Sequence, residues 1–110
     1  MPRKKCLRYI AEHPEITFYK PAGIPLRKLS ETVVTLDEFE ALRLADAEGM
    51  YHNEAADKMQ VSRQTFGRII TSARKKIATA ILAGHAIKIE GGNVNIQNMI
   101  NHENSSSQPQ

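Results

Sequence analysis

Residues 35–84 of this 110-residue chain carry the punctuation of three helices, which narrows the possible folds more than any other feature. Thr35-Leu36-Asp37-Glu38 is a T-x-x-E capping box, in which the Thr35 hydroxyl accepts from the Glu38 amide and the Glu38 carboxylate accepts from that of Thr35. Asp37, Glu38 and Glu40 lie at the positive end of that helix's dipole. Leu36, Phe39, Leu42 and then Ala45 or Asp46 follow at three- and four-residue steps, which predicts one inward apolar stripe, and Gly49 can stop the helix in a left-handed turn. A short second helix over about His52–Met59 offers Ala55, Ala56 and Met59 to a neighbour. The third is N-capped by Ser62 and reaches about Ala83, with Gly84 as its C-terminal punctuation. At 1.5 Å per residue it is roughly 32 Å long. Phe66, Ile69, Ile70, Ala73, Ile77, Ala80 and Ile81 form its apolar stripe, with Gln64, Arg68, Thr71 and Lys75 opposite and Gly67 on the flank.

The charges come in blocks that the net value of +3 conceals. Residues 1–29 are basic (Arg3, Lys4, Lys5, Arg8, Lys20, Arg27 and Lys28 against Glu12 and Glu15), and residues 30–57 hold eight acids against Arg43 alone. Residues 58–89 contain seven cations (Lys58, Arg63, Arg68, Arg74, Lys75, Lys76, Lys88) and no acid. Such a stretch is what a polyanion-binding surface needs, although a solvated helix face has the same composition. The chain is 41% hydrophobic without Trp, so one domain with a small aliphatic core is expected. Cys6 is the only cysteine, which excludes an intramolecular disulfide framework. No apolar run approaches a membrane span and no hydrophobic leader is present, so a soluble, unexported, cytoplasmic protein is expected.

The flanks are less regular. Residues 1–34 read as a basic arm, "MPRKK", and an irregular segment in which "CLRYI" and "ITFYK" are candidate short strands and "KPAGIP" a turn. "ETVVTL" reads as extended chain leading into the first helix. In residues 85–97, a two-residue Gly91-Gly92 turn would pair Glu90 with Asn93, Ile89 with Val94 and Ile87 with Ile96, a β-hairpin serving as a flap or a wing. The polar tail 98–110 is expected to be disordered.

A short helix, a turn of about three residues and a longer basic helix follow the helix-turn-helix plan. Ala56 is small where the helices approach, Met59 and Val61 plug the gap, and Phe66, Ile69 and Ile70 anchor the second helix. The turn position that normally takes a Gly with positive φ is held by Gln60, at a cost on the order of 1 kcal/mol.

These residues also carry a resemblance. "TLDEFEALRLADAEGMYHNEAADKMQVSRQTFGRIITSARKKIATAI" resembles DNA-binding region 4 of bacterial sigma factors, and "VSRQTFGRII" looks like the turn and recognition helix of the lac repressor. With "MPRKK", "FYKPAGIPL" and "IEGG", residues 1–92 resemble uncharacterised-protein family 0251 (domain of unknown function 134), described as predicted DNA-binding proteins. The expected fold is therefore mainly α: a sigma region 4-like three-helix core over 35–84, a short-strand N-terminal segment and a C-terminal hairpin. The lac-repressor likeness implies that Arg63, Gln64 and Arg68 reach base edges, and their chemistry agrees: Arg bonds bidentately to guanine and Gln to adenine. Gly67 would let the helix approach the sugar-phosphate backbone, while Ser62, Thr65, Thr71, Arg74 and Lys75 are phosphate candidates. Ser62 also reads as a plain cap, Lys76 as a solvated surface lysine, and the acidic block on the first two helices as a solvated face.

The expectation is a sequence-specific binder of double-stranded DNA that regulates transcription, with a homodimer on a palindrome as a fitting arrangement. The alternatives are a sigma-like adaptor that binds RNA polymerase or another transcription protein through its acidic helices without reading DNA, and an RNA binder. Zinc-ligand spacing, a phosphate-binding loop and a nucleophile elbow are absent, so neither catalysis nor a metal or cofactor is expected.

Overall fold

The computed structural model describes residues 7–96; the expected arm 1–5, Cys6 and the tail 98–110 lie outside them. In chain order the elements are β1 (Arg8–Ile10), β2 (Phe18–Tyr19), β3 (Glu31–Val34), α1 (Leu36–Leu42), α2 (His52–Met59), α3 (Arg63–Ala83), β4 (Ala86–Ile89) and β5 (Val94–Ile96). A single 3-10 turn covers Leu26–Lys28, and a turn of π-helix over Arg43–Ala47 prolongs α1. The result is a mixed α/β domain, where the helical punctuation predicts a mainly α one.

Helix ends fall where the local chemistry requires. At α1, the Glu38 amide donates to Thr35 Oγ1 at 3.4 Å and the Thr35 amide to Glu38 Oε1 at 2.9 Å, which is the expected capping box. Gly49 turns the chain after the π turn at φ 76°, and Gly84 closes α3 at φ 72°.

Strand pairing departs from the expected hairpin. β4 lies between β2 and β3, antiparallel to the first and parallel to the second, whereas β5 pairs in parallel with β1. Both edges of β4 are thus occupied, and β5 has no place beside it. Gly91 and Gly92 do take positive φ, but they carry the chain across the start of α1 and do not fold it back. The Leu36 amide donates to Gly91 O at 2.9 Å, and a Cβ on Gly92 would come within 2.8 Å of Asp37 Oδ1. Because β3 and β4 are parallel, the chain between them must cross over, and residues 35–85 do so as the entire helical unit. The sheet therefore clamps that unit at both ends.

Two apolar clusters make the core. Ala41, Leu44, Ala55, Ala56, Met59, Phe66, Ile69 and Ile70 join the three helices. Ile10, Val34, Leu36 and Ile89 join the sheets to α1, with Phe39 and Ile77 packed against them. Burial on α3 ends at Ala80: Ile81 is 70% exposed, contrary to its expected place in the inward stripe. It lies at the edge of that stripe, beyond the turns covered by the helical cluster, which draws on α3 only from Phe66 to Ile70.

The acids of α1 correct a second expectation. Asp37, Glu38 and Glu40 are 7%, 7% and 5% exposed, so this part of the acidic block is internal and not a solvated face. Glu38 accepts from Ser72 Oγ at 2.6 Å and from Lys76 Nζ at 2.9 Å, and Glu40 holds Arg43 through two bonds of 2.9 Å. Asp37 faces Arg8 at 3.7 Å and accepts from the Thr35 hydroxyl. Lys76, expected as a solvated lysine, is the cation that ties α3 to α1.

Candidate nucleic-acid interface

The connection from α2 to α3 sets the exposure of the second helix. Gln60 terminates α2 with φ 61° and ψ 41°, the only positive φ at a non-glycine among the described residues. The left-handed position expected at residue 60 is therefore present and carries glutamine. Val61 N donates to Ala56 O at 3.0 Å, and Ser62 returns to extended backbone as the α3 N-cap. Ala56, Met59 and Phe66 are fully buried at this corner, and the His52 ring meets Phe66 edge-on with centroids 5.2 Å apart.

Burying Phe66, Ile69, Ile70 and Ala73 turns the opposite face of α3 outward. Arg63, Gln64, Arg68, Thr71, Arg74 and Lys75 are exposed on it, with Thr65 and Gly67 half-buried beside them. All nine sequence-predicted interface residues thus lie on α3 or at its cap.

Their hydrogen bonds differ in what they leave available. Ser62 Oγ accepts from the Thr65 amide at 3.0 Å, as a cap does, and donates to Thr65 Oγ1 at 2.9 Å. Thr65 Oγ1 also accepts from Arg68 Nη2 at 3.3 Å, so its own proton is free to be donated outward. Lys58, Arg63, Arg68 and Lys75 make no ion pair among the described residues.

Arg74 is different: its Nε and Nη2 donate to Asp46 Oδ2 and Oδ1 at 3.1 and 2.7 Å. These bonds hold the Asp46 carboxyl below its ordinary value and raise Arg74 further. Helical spacing gives no sign of this pair, because its partners are 28 residues apart.

Gly67 has no internal justification. A Cβ built there meets nothing within 4 Å, and its φ is not positive, so neither packing nor backbone conformation demands a glycine. A glycine inside a helix is less stable than alanine by about 0.5–1 kcal/mol. What it leaves is a shallow gap between Arg63, Gln64 and Thr71, the residues three and four positions away on the same face.

Other surfaces are chemically plainer. An apolar cavity of about 510 Å³ lies between α1, α3 and the β2–β4–β3 sheet, lined by Phe39, Leu42, Ile77 and Ile87 with Arg43 and Asp46 at its polar side. His85 Nδ1 and Thr32 Oγ1 are 2.9 Å apart, and His13 contacts Pro14 O. Among the described residues no three His, Cys, Asp or Glu are placed to hold a metal ion, and no helix is long and apolar enough to cross a membrane.

Several curated proteins are similar over most of this chain. A UPF0251 protein of Caldanaerobacter subterraneus subsp. tengcongensis is 52% identical over 96 residues, which is 87% of this chain and 81% of the relative. One from Chlorobaculum tepidum is 59% identical over 87 residues, 79% of this chain but 57% of its own length. A third, from Rhodospirillum rubrum, is 50% identical over 94 residues, covering 86% and 66%. No solved structure matches the chain significantly. The model of the family described as "Protein of unknown function DUF134" matches residues 1–97, and the chain belongs to that family.

Proposed function

We propose that this protein binds double-stranded DNA sequence-specifically and regulates transcription, with α2, the Gln60–Ser62 turn and α3 as its helix-turn-helix in the manner of sigma region 4. The main support is the exposed, acid-free face of α3 around Gly67, a glycine that the fold itself does not need. In this reading α3 enters the major groove and Gly67 admits the DNA backbone or a base edge. Arg63 and Arg68 address guanine O6 and N7, and Gln64 addresses adenine N6 and N7. Thr65, Thr71 and Lys75 bind phosphates, as does Arg74 when it leaves Asp46. Ser62 serves chiefly as the cap that holds the N-terminal turn of α3 in place.

The adaptor reading loses support from the same structure. It needs an accessible acidic face, and with Asp37, Glu38 and Glu40 buried or bonded internally and Asp46 paired with Arg74, only Glu48, Glu54 and Asp57 remain exposed to form one. RNA binding is separated by experiment. Fluorescence anisotropy with duplex DNA and RNA over a salt series should give preferential DNA binding that weakens steeply with salt. Arg68→Ala and Gln64→Ala should each remove about 1–3 kcal/mol of base discrimination. Variants that bind every sequence as wild type does exclude α3 as the reading helix.

A further inference from the structure

Among the cations exposed on α3, Arg74 is the one already paired with a carboxylate. Asp46 fills its guanidinium in the two-pronged geometry that a phosphate also adopts, through Nε at 3.1 Å and Nη2 at 2.7 Å. Both side chains remain about half exposed, at 49% and 44%, so water and ions reach the pair and it adds little to stability. Asp46 sits in the π turn Arg43–Ala47, an irregularity often found at functional positions. Among the described residues its carboxylate has no other hydrogen-bond or ion-pair partner.

We infer that Asp46 is a phosphate surrogate that sets the affinity of α3 for the DNA backbone, a DNA phosphate replacing it in the fork of Arg74. The inference rests on the DNA-binding reading above. Binding at Arg74 is then an exchange of one bidentate acceptor for another, with no gain in charge-assisted bonds. Asp46 therefore lowers affinity for every sequence alike, so that only sites that satisfy Arg63, Gln64 and Arg68 are held tightly, while the ratio between sequences stays with those three residues.

The test is a double-mutant cycle of Asp46→Asn and Arg74→Ala, read by anisotropy on a labelled duplex of mixed sequence at several salt concentrations, with thermal melts alongside. Asp46→Asn is expected to bind about threefold to tenfold tighter. The slope of log K against log salt should steepen by up to about one. In the Arg74→Ala background the same substitution should change affinity by about twofold or less. Wild-type affinity in Asp46→Asn, or an equal gain in both backgrounds, overturns the inference while leaving DNA binding intact. Failure of all four proteins to bind any duplex overturns the DNA reading and the inference with it.

Discussion

Two residues in and beside α3 hold conformations or identities that the fold alone does not favour. Gln60 occupies left-handed backbone at φ 61°, where a Cβ is unfavourable and glycine is not. Gln60→Gly should raise stability by about 1 kcal/mol, seen as a higher midpoint in thermal or urea unfolding. A lower midpoint would mean that the glutamine side chain offsets its own backbone strain. Gly67 poses the opposite case, a residue with open space above it. Gly67→Ala should stabilise the helix by about 0.5–1 kcal/mol and at the same time weaken duplex binding about tenfold. That split separates a recognition role from a structural one, because a merely structural glycine would lose stability or leave binding unchanged.

At the level of elements, α1 and α3 are joined by a buried carboxylate. Burial pushes the Glu38 carboxyl up, but bonds from Ser72, Lys76 and the Thr35 amide outweigh it and leave the group below its ordinary value of 4.5. A carboxylate depressed in the folded state adds stability above its unfolded value and loses it as pH falls through the folded one. Melting midpoints should therefore fall on acidification below about pH 4.5, and Glu38→Gln should both lower the midpoint at neutral pH and flatten that acid limb. An unchanged acid limb would assign the loss to other carboxylates.

The same pair of helices marks the boundary of what is legible in sequence. The capping box at Thr35, the cap at Ser62 and the closing Gly84 act over three or four residues, so the start of α1 and both ends of α3 can be read directly. The partners of β4 and β5, and the Glu38–Lys76 and Asp46–Arg74 pairs, are set by chain crossing, which no local period encodes. The candidate interface was legible as a set of residues on one helix face. The state of each was not, because Arg74 and Lys76 look alike in charge and differ from Lys75 only in what the fold brings beside them.

For the whole molecule, the alternation of charge blocks has a spatial outcome. Two acids of the acidic block, Glu38 and Asp46, fold onto the basic one, with Lys76 and Arg74 bonded across to α1 and its π turn. Arg63, Arg68 and Lys75 are left to define the exposed positive face. A protein that reads DNA with this face and gains specificity from few base contacts is expected to bind a two-fold symmetric site as a pair of copies. Selection of bound sequences from a random duplex library, run in parallel with wild type and Arg68→Ala, tests the central claim most directly. Wild type should return a defined consensus arranged as inverted half-sites, and Arg68→Ala should lose the preference at one position within each half. No consensus from wild type, or the same consensus from both proteins, would contradict recognition through α3.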